Sequence, residues 1–338
     1  MLEIQANNLG ARLLKATIDT IEKKYPEAEK ELTTLLRESP NTALIHRQMG
    51  VYYQSRGLPK DAEKSLIRAL ELDPDSEDIL STLTQFYITQ KQTDRAIQRI
   101  QSVPENKKKA FHYELMGMAY SQAGNAHEAE TAYKEALRKE PGRKSSGVYL
   151  ASQYIQSGRL DEGLLELDRL ITNDPSNASL YTTKAFISQV QGKMDAAKES
   201  YEQALKVDPT FAAAANNLAY ALAEEGRDLQ TALQWAQTAR QRDIENPDVA
   251  DTLGWIHYKL GHHILARDQL QFAISKQPDN PEFLYHLALI YKETKQISEA
   301  EQALKKALGS KTDFKERNLA QSALDEILKL KVAGKVRS

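Results

Sequence analysis

Gly50…Tyr53…Gly57…Ala62…Ala69…Pro74 returns with every interval intact as Gly117…Tyr120…Gly124…Ala129…Ala136…Pro141, and again as Ala185…Ser188…Gly192…Ala197…Ala204…Pro209. Nine stretches of the chain superimpose at a step of about 34 residues, each closing with an Ala-rich amphipathic segment. A fixed period of roughly 20–50 residues marks a solenoid, because one unit is too small to bury its apolar face alone and must stack on its neighbours.

The intervals have a packing reason. Each unit reads as two antiparallel helices, A and B. Gly50, Gly117, Ala151, Ala185, Ala219, Gly254 and Ala288 sit where helix A must approach helix B closely, and Ala62, Ala96, Ala129, Ala197, Ala232, Ala266 and Ala300 answer from helix B. Tyr53, Tyr87, Tyr120, Tyr154 and Tyr291 are expected to fill the space between A, B and the next A, at interaxial spacings of roughly 8–10 Å. Gly57, Gly124, Gly158, Gly192, Gly226 and Gly261 fall just after helix A, where a residue free to take positive φ ends a helix. Pro74, Pro141, Pro175, Pro209 and Pro278 end or closely follow helix B, which proline cannot continue.

These intervals are also the tetratricopeptide signature, and the chain resembles that family over nearly its whole length. The resemblance implies an all-α fold: a right-handed superhelical solenoid of antiparallel helix pairs. The expected repeats are 9–42, 43–76, 77–109, 110–143, 144–177, 178–211, 212–246, 247–280 and 281–314. The third is one residue short and leaves its B helix early at Val103-Pro104, before Lys107-Lys108-Lys109, so a bend is expected there. The seventh has one extra residue near Arg227-Asp228-Leu229, in the turn. Leu319, Ala320, Ala323, Leu324 and Ile327 return at helical spacing, which predicts a capping helix over 315–330, followed by a frayed basic tail over 331–338. At the other end Leu2-Glu3-Ile4-Gln5-Ala6 aligns with Leu70-Glu71-Leu72-Asp73-Pro74, so residues 1–8 read as the end of a preceding B helix in a longer array.

Composition narrows the function. The chain is 27% charged and 41% apolar, with a net charge of −2 and no cysteine. No apolar run is long enough to span a bilayer, so no direct membrane insertion is expected. The near-neutral balance supplies no basic field for nucleic acid. Zero cysteines exclude a disulfide framework and thiol chemistry without fixing the compartment. No phosphate-binding loop, dinucleotide fingerprint or serine nucleophile elbow is present, so no catalytic residue and no cofactor is assigned. His257, His262, His263 and His286 are the histidines worth weighing as metal ligands. His257 occupies an interior aromatic position and His262-His263 follow Gly261 in a turn, so the rings are expected to point apart and no metal site is assigned. Asn177-Ala178-Ser179 matches a glycosylation sequon, meaningful only in a eukaryotic secretory context.

A surface remains. Arrays resembling this one use the concave face lined by their A helices. In the N-terminal half that face is mixed and polar, reading Arg47, Val51, Gln54, Asp78, Ser81 and Gln85. From the sixth repeat the ninth position reads Phe186, Tyr220, Trp255 and Leu289, with Tyr258 and Tyr285 beside them and Asn216, Asp248, Asp251 and Glu282 interleaved. Large aromatics dominate binding hot spots. These ten residues are the candidate partner-binding set, and their carboxylates suit a ligand with a positive or hydrogen-bond-donating part.

Family subtypes separate residue by residue. The carboxylate clamp for acidic chaperone tails needs a fixed set of Lys, Asn and Arg that no three consecutive repeats supply. The asparagine ladder of arrays preceding O-linked N-acetylglucosamine transferase domains is missing too: that position reads Gln48, Thr82, Leu115, Tyr149, Thr183, Asn217, Thr252 and His286. The phrase Asn216-Asn217-Leu218-Ala219-Tyr220-Ala221-Leu222-Ala223, continued by Asp251-Thr252-Leu253-Gly254-Trp255-Ile256-His257-Tyr258-Lys259-Leu260-Gly261, resembles the C-terminal repeats of large bacterial tetratricopeptide proteins of exosortase (PEP-CTERM) and exopolysaccharide systems. That resemblance implies a bacterial scaffold of the periplasm or envelope ahead of the cytoplasm. The expected function is a non-catalytic protein–protein interaction scaffold that takes a protein or peptide partner. A carbohydrate-binding scaffold, with polysaccharide as the partner, and a regulatory array of a larger enzyme are the alternatives.

Overall fold

The periodic small residues do the work expected of them. A Cβ built on Gly50 would lie 2.5 Å from Leu66 Cγ, and one on Gly117 would lie 2.5 Å from Tyr133 Cε1. No side chain fits in either gap, so helix A and helix B meet backbone to side chain. The contact at Gly254 is looser, with Leu270 Cγ at 3.0 Å. On helix B, Ala62, Ala96, Ala129, Ala197, Ala232, Ala266 and Ala300 are all buried.

The computed structural model describes residues 8–226, 228–332 and 334. The fold is all-α, with helix over 79% of the chain, no strand among the described residues, and helices packed in consecutive pairs. The molecule divides into two units, 1–166 and 167–338. The first holds α1 (Leu9–Ile21), α2 (Tyr25–Glu38), α3 (Ala43–Ser55), α4 (Pro59–Leu72), α5 (Glu77–Thr89), α6 (Thr93–Gln101), a 3-10 turn at Glu105–Lys107, α7 (Ala110–Gln122), α8 (Ala126–Lys139) and α9 (Lys144–Gln156). Helix α10 (Leu160–Asn173) carries the boundary. The second unit continues with α11 (Ala178–Val190), α12 (Met194–Val207), α13 (Ala212–Glu225), α14 (Leu229–Arg242), α15 (Pro247–Lys259), α16 (His263–Lys276), α17 (Pro281–Glu293), α18 (Ile297–Leu308) and α19 (Arg317–Val332). No helix among the described residues is long and apolar enough to cross a membrane.

Local chemistry sets the helix ends. Pro59, Pro247 and Pro281 occupy first-turn positions, where the missing N–H is not needed. Ser76, Asn177, Asn246 and Asn280 cap the helices that follow by accepting first-turn N–H groups. The sequon asparagine therefore holds Ser179 N at 3.1 Å as a helix cap. Lys23, Lys91 and Lys295 take left-handed φ values of 60°, 57° and 62°, at the turn position that glycine holds in other pairs. In the turn after α13, Gly226 and Asp228 both have positive φ; Arg227, where the extra residue was expected, lies outside the described residues. So do residues 1–7 and most of the tail read from the sequence.

The core of the first unit centres on Leu66, Ile79, Phe86, Ile100 and Phe111. The tyrosines there do more than fill space, because their hydroxyls reach back to a glutamate of the preceding B helix. Tyr87 donates to Glu63 (2.8 Å), Tyr154 to Glu130 (3.2 Å) and Tyr52 to Glu29 (3.0 Å). In the second unit Tyr201, Leu218 and Ala239 form one cluster and Ala232, Leu253 and Ile256 another. Ala320, Ala323, Leu324 and Ile327 of α19 pack on Ala300 and Leu304 of α18, while Leu319 stays 60% exposed.

Candidate partner-binding site

The A helices α11, α13, α15 and α17 stand next to one another in the second unit. Residues four apart share a helix face, so Asn216, Tyr220 and Glu224 of α13, Asp248, Asp251, Trp255 and Lys259 of α15, and Glu282, His286 and Leu289 of α17 make three adjoining columns. Their centre is Trp255. Its ring lies nearly parallel to His286 (centroids 4.3 Å apart, 16° between planes) and to Tyr258 (5.2 Å, 15°). The indole N–H donates to Glu224 Oε1 at 3.0 Å, and Lys259 Nζ stands 4.9 Å from the ring centroid. Trp255, Tyr220 and Tyr258 are each half-buried, so all three keep part of their surface accessible.

Beneath the aromatics lies a buried ion pair. His286 Nδ1 is 2.8 Å from Asp251 Oδ1, and the two side chains are 1% and 7% exposed. Burial alone would lower the His286 imidazole, but Asp251, with Glu282 and Glu316 nearby, holds it above the ordinary histidine value. Burial raises the Glu282 carboxyl above its usual range; His286 opposes that shift, and Asp251, Glu316 and Asp248 reinforce it. Asp248 is raised in the same way, by burial and then by Asp251. Burial would also raise Glu224, yet the hydrogen bonds from Trp255 and Lys315 hold it below the usual carboxylate value. Tyr220 is pushed above an ordinary phenol, mostly by burial and further by Glu224, Glu282, Glu316 and Asp251.

The sequence-derived set divides in this geometry. Tyr220, Trp255, Tyr258, Asp248 and Glu282 come together on the accessible wall. Asp251 (5% exposed) and Tyr285 (6%) are buried, and they shape the wall from behind. Leu289 is half-buried, packed against the cluster formed by α17, α18 and α19. Asn216 is half-buried and its Oδ1 finds no donor. Phe186 is 50% exposed on α11, apart from the Trp255 cluster. One histidine expectation is corrected. Gly261 turns the chain back (φ 77°), His262 N bonds His257 O at 2.8 Å, and the two imidazoles meet with their Nδ1 atoms 3.4 Å apart.

Three participants escaped the sequence reading, Glu224, Lys315 and Glu316, and a fourth, His286, was weighed only as a metal ligand. Glu224 follows Tyr220 by one helical turn, a signal that was available. Lys315 and Glu316 lie in the turn after the last helix pair, where the repeat frame ends. Lys315 Nζ nonetheless reaches Glu224 Oε2 at 3.1 Å.

With the geometry in view, likeness to known proteins is informative. Residues 54–117, 120–185 and 259–324 match one tetratricopeptide repeat family, and residues 189–247 match a second of the same description. The chain belongs to the tetratricopeptide repeat family. It is 33% identical over 104 residues to the uncharacterized protein y4yS of Sinorhizobium fredii, covering 31% of this chain and 57% of that one. It is 25% identical over 278 residues to a DnaJ homolog subfamily C member 7 homolog of Dictyostelium discoideum, covering 80% and 44%. A shorter likeness, 27% over 140 residues, joins it to cellulose synthase operon protein C of Pseudomonas fluorescens, covering 38% and 11%. The chain thus spans about half the length, or less, of these curated relatives. Among solved structures, the anaphase-promoting-complex hetero-tetramer Cut9–Hcn1 matches with a TM-score of 0.59 at 17% identity, covering 95% of this chain and 64% of that one. At that identity the likeness concerns the fold alone.

Proposed function

We propose that this chain is a non-catalytic interaction scaffold that holds a segment of a protein partner against the A-helix face of its second unit, with Trp255 and Tyr220 as anchors. The observation that carries this reading is the posture of Trp255. Two parallel rings and a carboxylate bond fix it in orientation, while part of its surface stays open. A preorganised aromatic loses little conformational freedom on binding, which is the property of a hot-spot residue. Proteins of this family bind other proteins, and the fold supports the same class of function here.

The test is selection of a random 12-residue peptide display library on the full chain, with the recovered peptides measured against Trp255→Ala and Tyr220→Ala. Each substitution should weaken binding by about 2 kcal/mol or more and leave far-UV circular dichroism nearly unchanged. Peptides indifferent to both substitutions would refute the assignment. The likeness to cellulose synthase operon protein C, together with the Asn216–Gly261 phrase, favours an exopolysaccharide-assembly setting in a bacterial envelope as the finer reading. In that setting the polymer itself is a second candidate ligand. Soluble glucan oligosaccharides that compete with the peptides in a Trp255-dependent way would support it, and a lack of competition would count against it.

A further inference from the structure

We propose that the wall beside Tyr220 and Trp255 is a receptor for a lysine or arginine side chain of the partner, with Glu282 and Glu316 as its acceptors and Lys315 as an internal stand-in. The proposal rests on the partner-binding reading above and deepens it by naming the chemistry that the partner must present.

Two carboxylates here, Glu282 and Glu316, are not fully paired within the fold. Glu282 is half-buried and makes no side-chain hydrogen bond or ion pair among the described residues. Glu316 is 7% exposed; its Oε2 has no hydrogen-bond partner, and its one ion pair, to Lys315, is stretched to 4.0 Å. Asp248, one turn before Asp251 on α15, likewise has no side-chain partner but is exposed to solvent. Asp251 is unavailable, because it already holds His286. Glu282 and Glu316 both act on the ionisation of His286 and of Tyr220, so they lie on the same side of the wall as these two rings. Buried carboxylates without a counter-charge are costly, and a cation brought from outside recovers more here than it would in open water.

Two further observations set the kind of cation. The unpaired buried atoms on this wall, Glu316 Oε2 and Asn216 Oδ1, are both acceptors, so the complementary group is a donor. A cavity of about 490 Å³, bordered by Pro281, Glu282, Asp313 and Phe314, opens beside Glu282 and has room for a long basic side chain. The chain also displays the interaction with its own lysine. Lys315 stands 3.1 Å from Glu224 Oε2 and 6.0 Å from the Tyr220 ring centroid, an ammonium between a carboxylate and an aromatic face. Its side chain is 70% exposed, so it is held at the rim and is displaceable. Among the described residues no three acid or histidine groups are set to hold a metal ion.

The probes are the peptides selected on the full chain, each paired with a version in which one Lys or Arg is replaced by Gln. The selected pool should be rich in Lys and Arg, and replacing the critical basic residue should weaken binding about tenfold or more. Glu282→Gln combined with Glu316→Gln should weaken the basic peptide by a similar factor and leave the Gln version unaffected, as two partners of one interaction must. Lys315→Gln should tighten basic peptides about two- to threefold. A pool that needs Trp255 yet ignores the loss of its basic residues would overturn this inference and spare the partner-binding reading. Failure to select any peptide, or a pool indifferent to Trp255, would overturn both.

Discussion

Glu114 in the first unit and Asp251 in the second are each the fifth residue of an A helix, α7 and α15, and each is buried. Their surroundings differ. Glu114 accepts from Arg143 (2.8 Å), Ser145 (2.5 Å) and Ser146 (2.6 Å), and Arg143 also engages Glu77. Neighbouring positions on that wall close among themselves too: Arg47 donates to Thr82 and Gln54 to Thr89. Asp251 has one partner, His286; around it Asp248 and Glu282 have no ion-pair partner, and Glu316 has only the 4.0 Å pair with Lys315. The two walls carry similar residue types. Glu114 is fully paired, whereas Glu282 and the Oε2 of Glu316 have no partner and adjoin the half-buried aromatics. A wall that satisfies its own charges needs no further group, and the proposed partner cation would complete the one that does not.

The sharpest way to test that contrast is to remove the cation from each wall. Arg143→Met would leave Glu114 buried without its counter-charge, at a cost of roughly 3–5 kcal/mol. Stability in a stacked array is close to a sum of local terms, so hydrogen exchange should quicken around α7 and α9 and little elsewhere. Lys315→Gln, which removes an exposed lysine, should change stability by about 0.5 kcal/mol or less. Equal costs for the two would erase the distinction between the walls.

A steric pair comes next. Gly117→Ala drives a methyl to 2.5 Å from Tyr133 Cε1, whereas Gly254→Ala brings one only to 3.0 Å from Leu270 Cγ. Overpacking should make the first substitution cost about 1–3 kcal/mol. The second should be close to neutral, because alanine's better helix propensity, worth about 1 kcal/mol, offsets the mild contact. Urea midpoints of the two variants would check this, and a Gly254→Ala midpoint as low as that of Gly117→Ala would contradict it.

These glycines show what was legible in the sequence. The A–B contact is steric, it recurs, and its residue types allow few substitutes, so the intervals alone announced the helix pairs. The same frame placed Tyr220 and Trp255 on one face, because position nine has no fold role that demands a large ring. Other features depend on partners far apart in the chain. Nothing in Asp251 says that His286 will close over it, or that Tyr285 will be buried while Tyr258 stays half open. A lysine does not advertise positive φ; Lys23, Lys91 and Lys295 take it because the repeat geometry imposes it at that turn. Lys315 and Glu316 lie beyond the last repeat, where periodicity carries no information.

A gain in stability from deleting a charge would be direct evidence that the second wall is uncompensated. Glu282→Gln keeps the shape of the side chain and removes its repulsion with Asp248, Asp251 and Glu316, so the free protein should become more stable by about 0.5–1 kcal/mol. Thermal melts of the two proteins compare this directly. The analogous Glu114→Gln should be destabilising, since it deprives Arg143 of a buried counter-charge. A loss for Glu282→Gln would mean that the carboxylate already has a stabilising partner and that the wall is complete.

The smallest expected effect is a pH dependence of opposite sign in the two units. Hydrogen bonds from Arg143, Ser145 and Ser146 outweigh burial and lower the folded-state value of Glu114. Its contribution is therefore full above the usual 4.5 and disappears as pH falls through the lower folded value. Glu282 and Asp248 are raised, so their burial is most costly above their folded values and is relieved as pH falls through them. His286, also raised, contributes fully below 6.5 and loses that contribution as pH rises through its folded value. His286 thus favours pH below 6.5 and Glu282 and Asp248 favour pH below their raised values, while Glu114 is indifferent until the pH drops below 4.5. Both tryptophans, Trp235 and Trp255, lie in the second unit, so their fluorescence reports its unfolding selectively. His257, lowered chiefly by burial, opposes this below 6.5, so in a His257→Phe background the urea midpoint should rise on acidification from above 6.5 toward 4.5, by an amount corresponding to about 1 kcal/mol or less. Glu282→Gln should flatten the carboxylate part of that rise and leave the histidine part in place. A fluorescence midpoint that falls across this window would mean that the second wall, like the first, is held together by charges already paired.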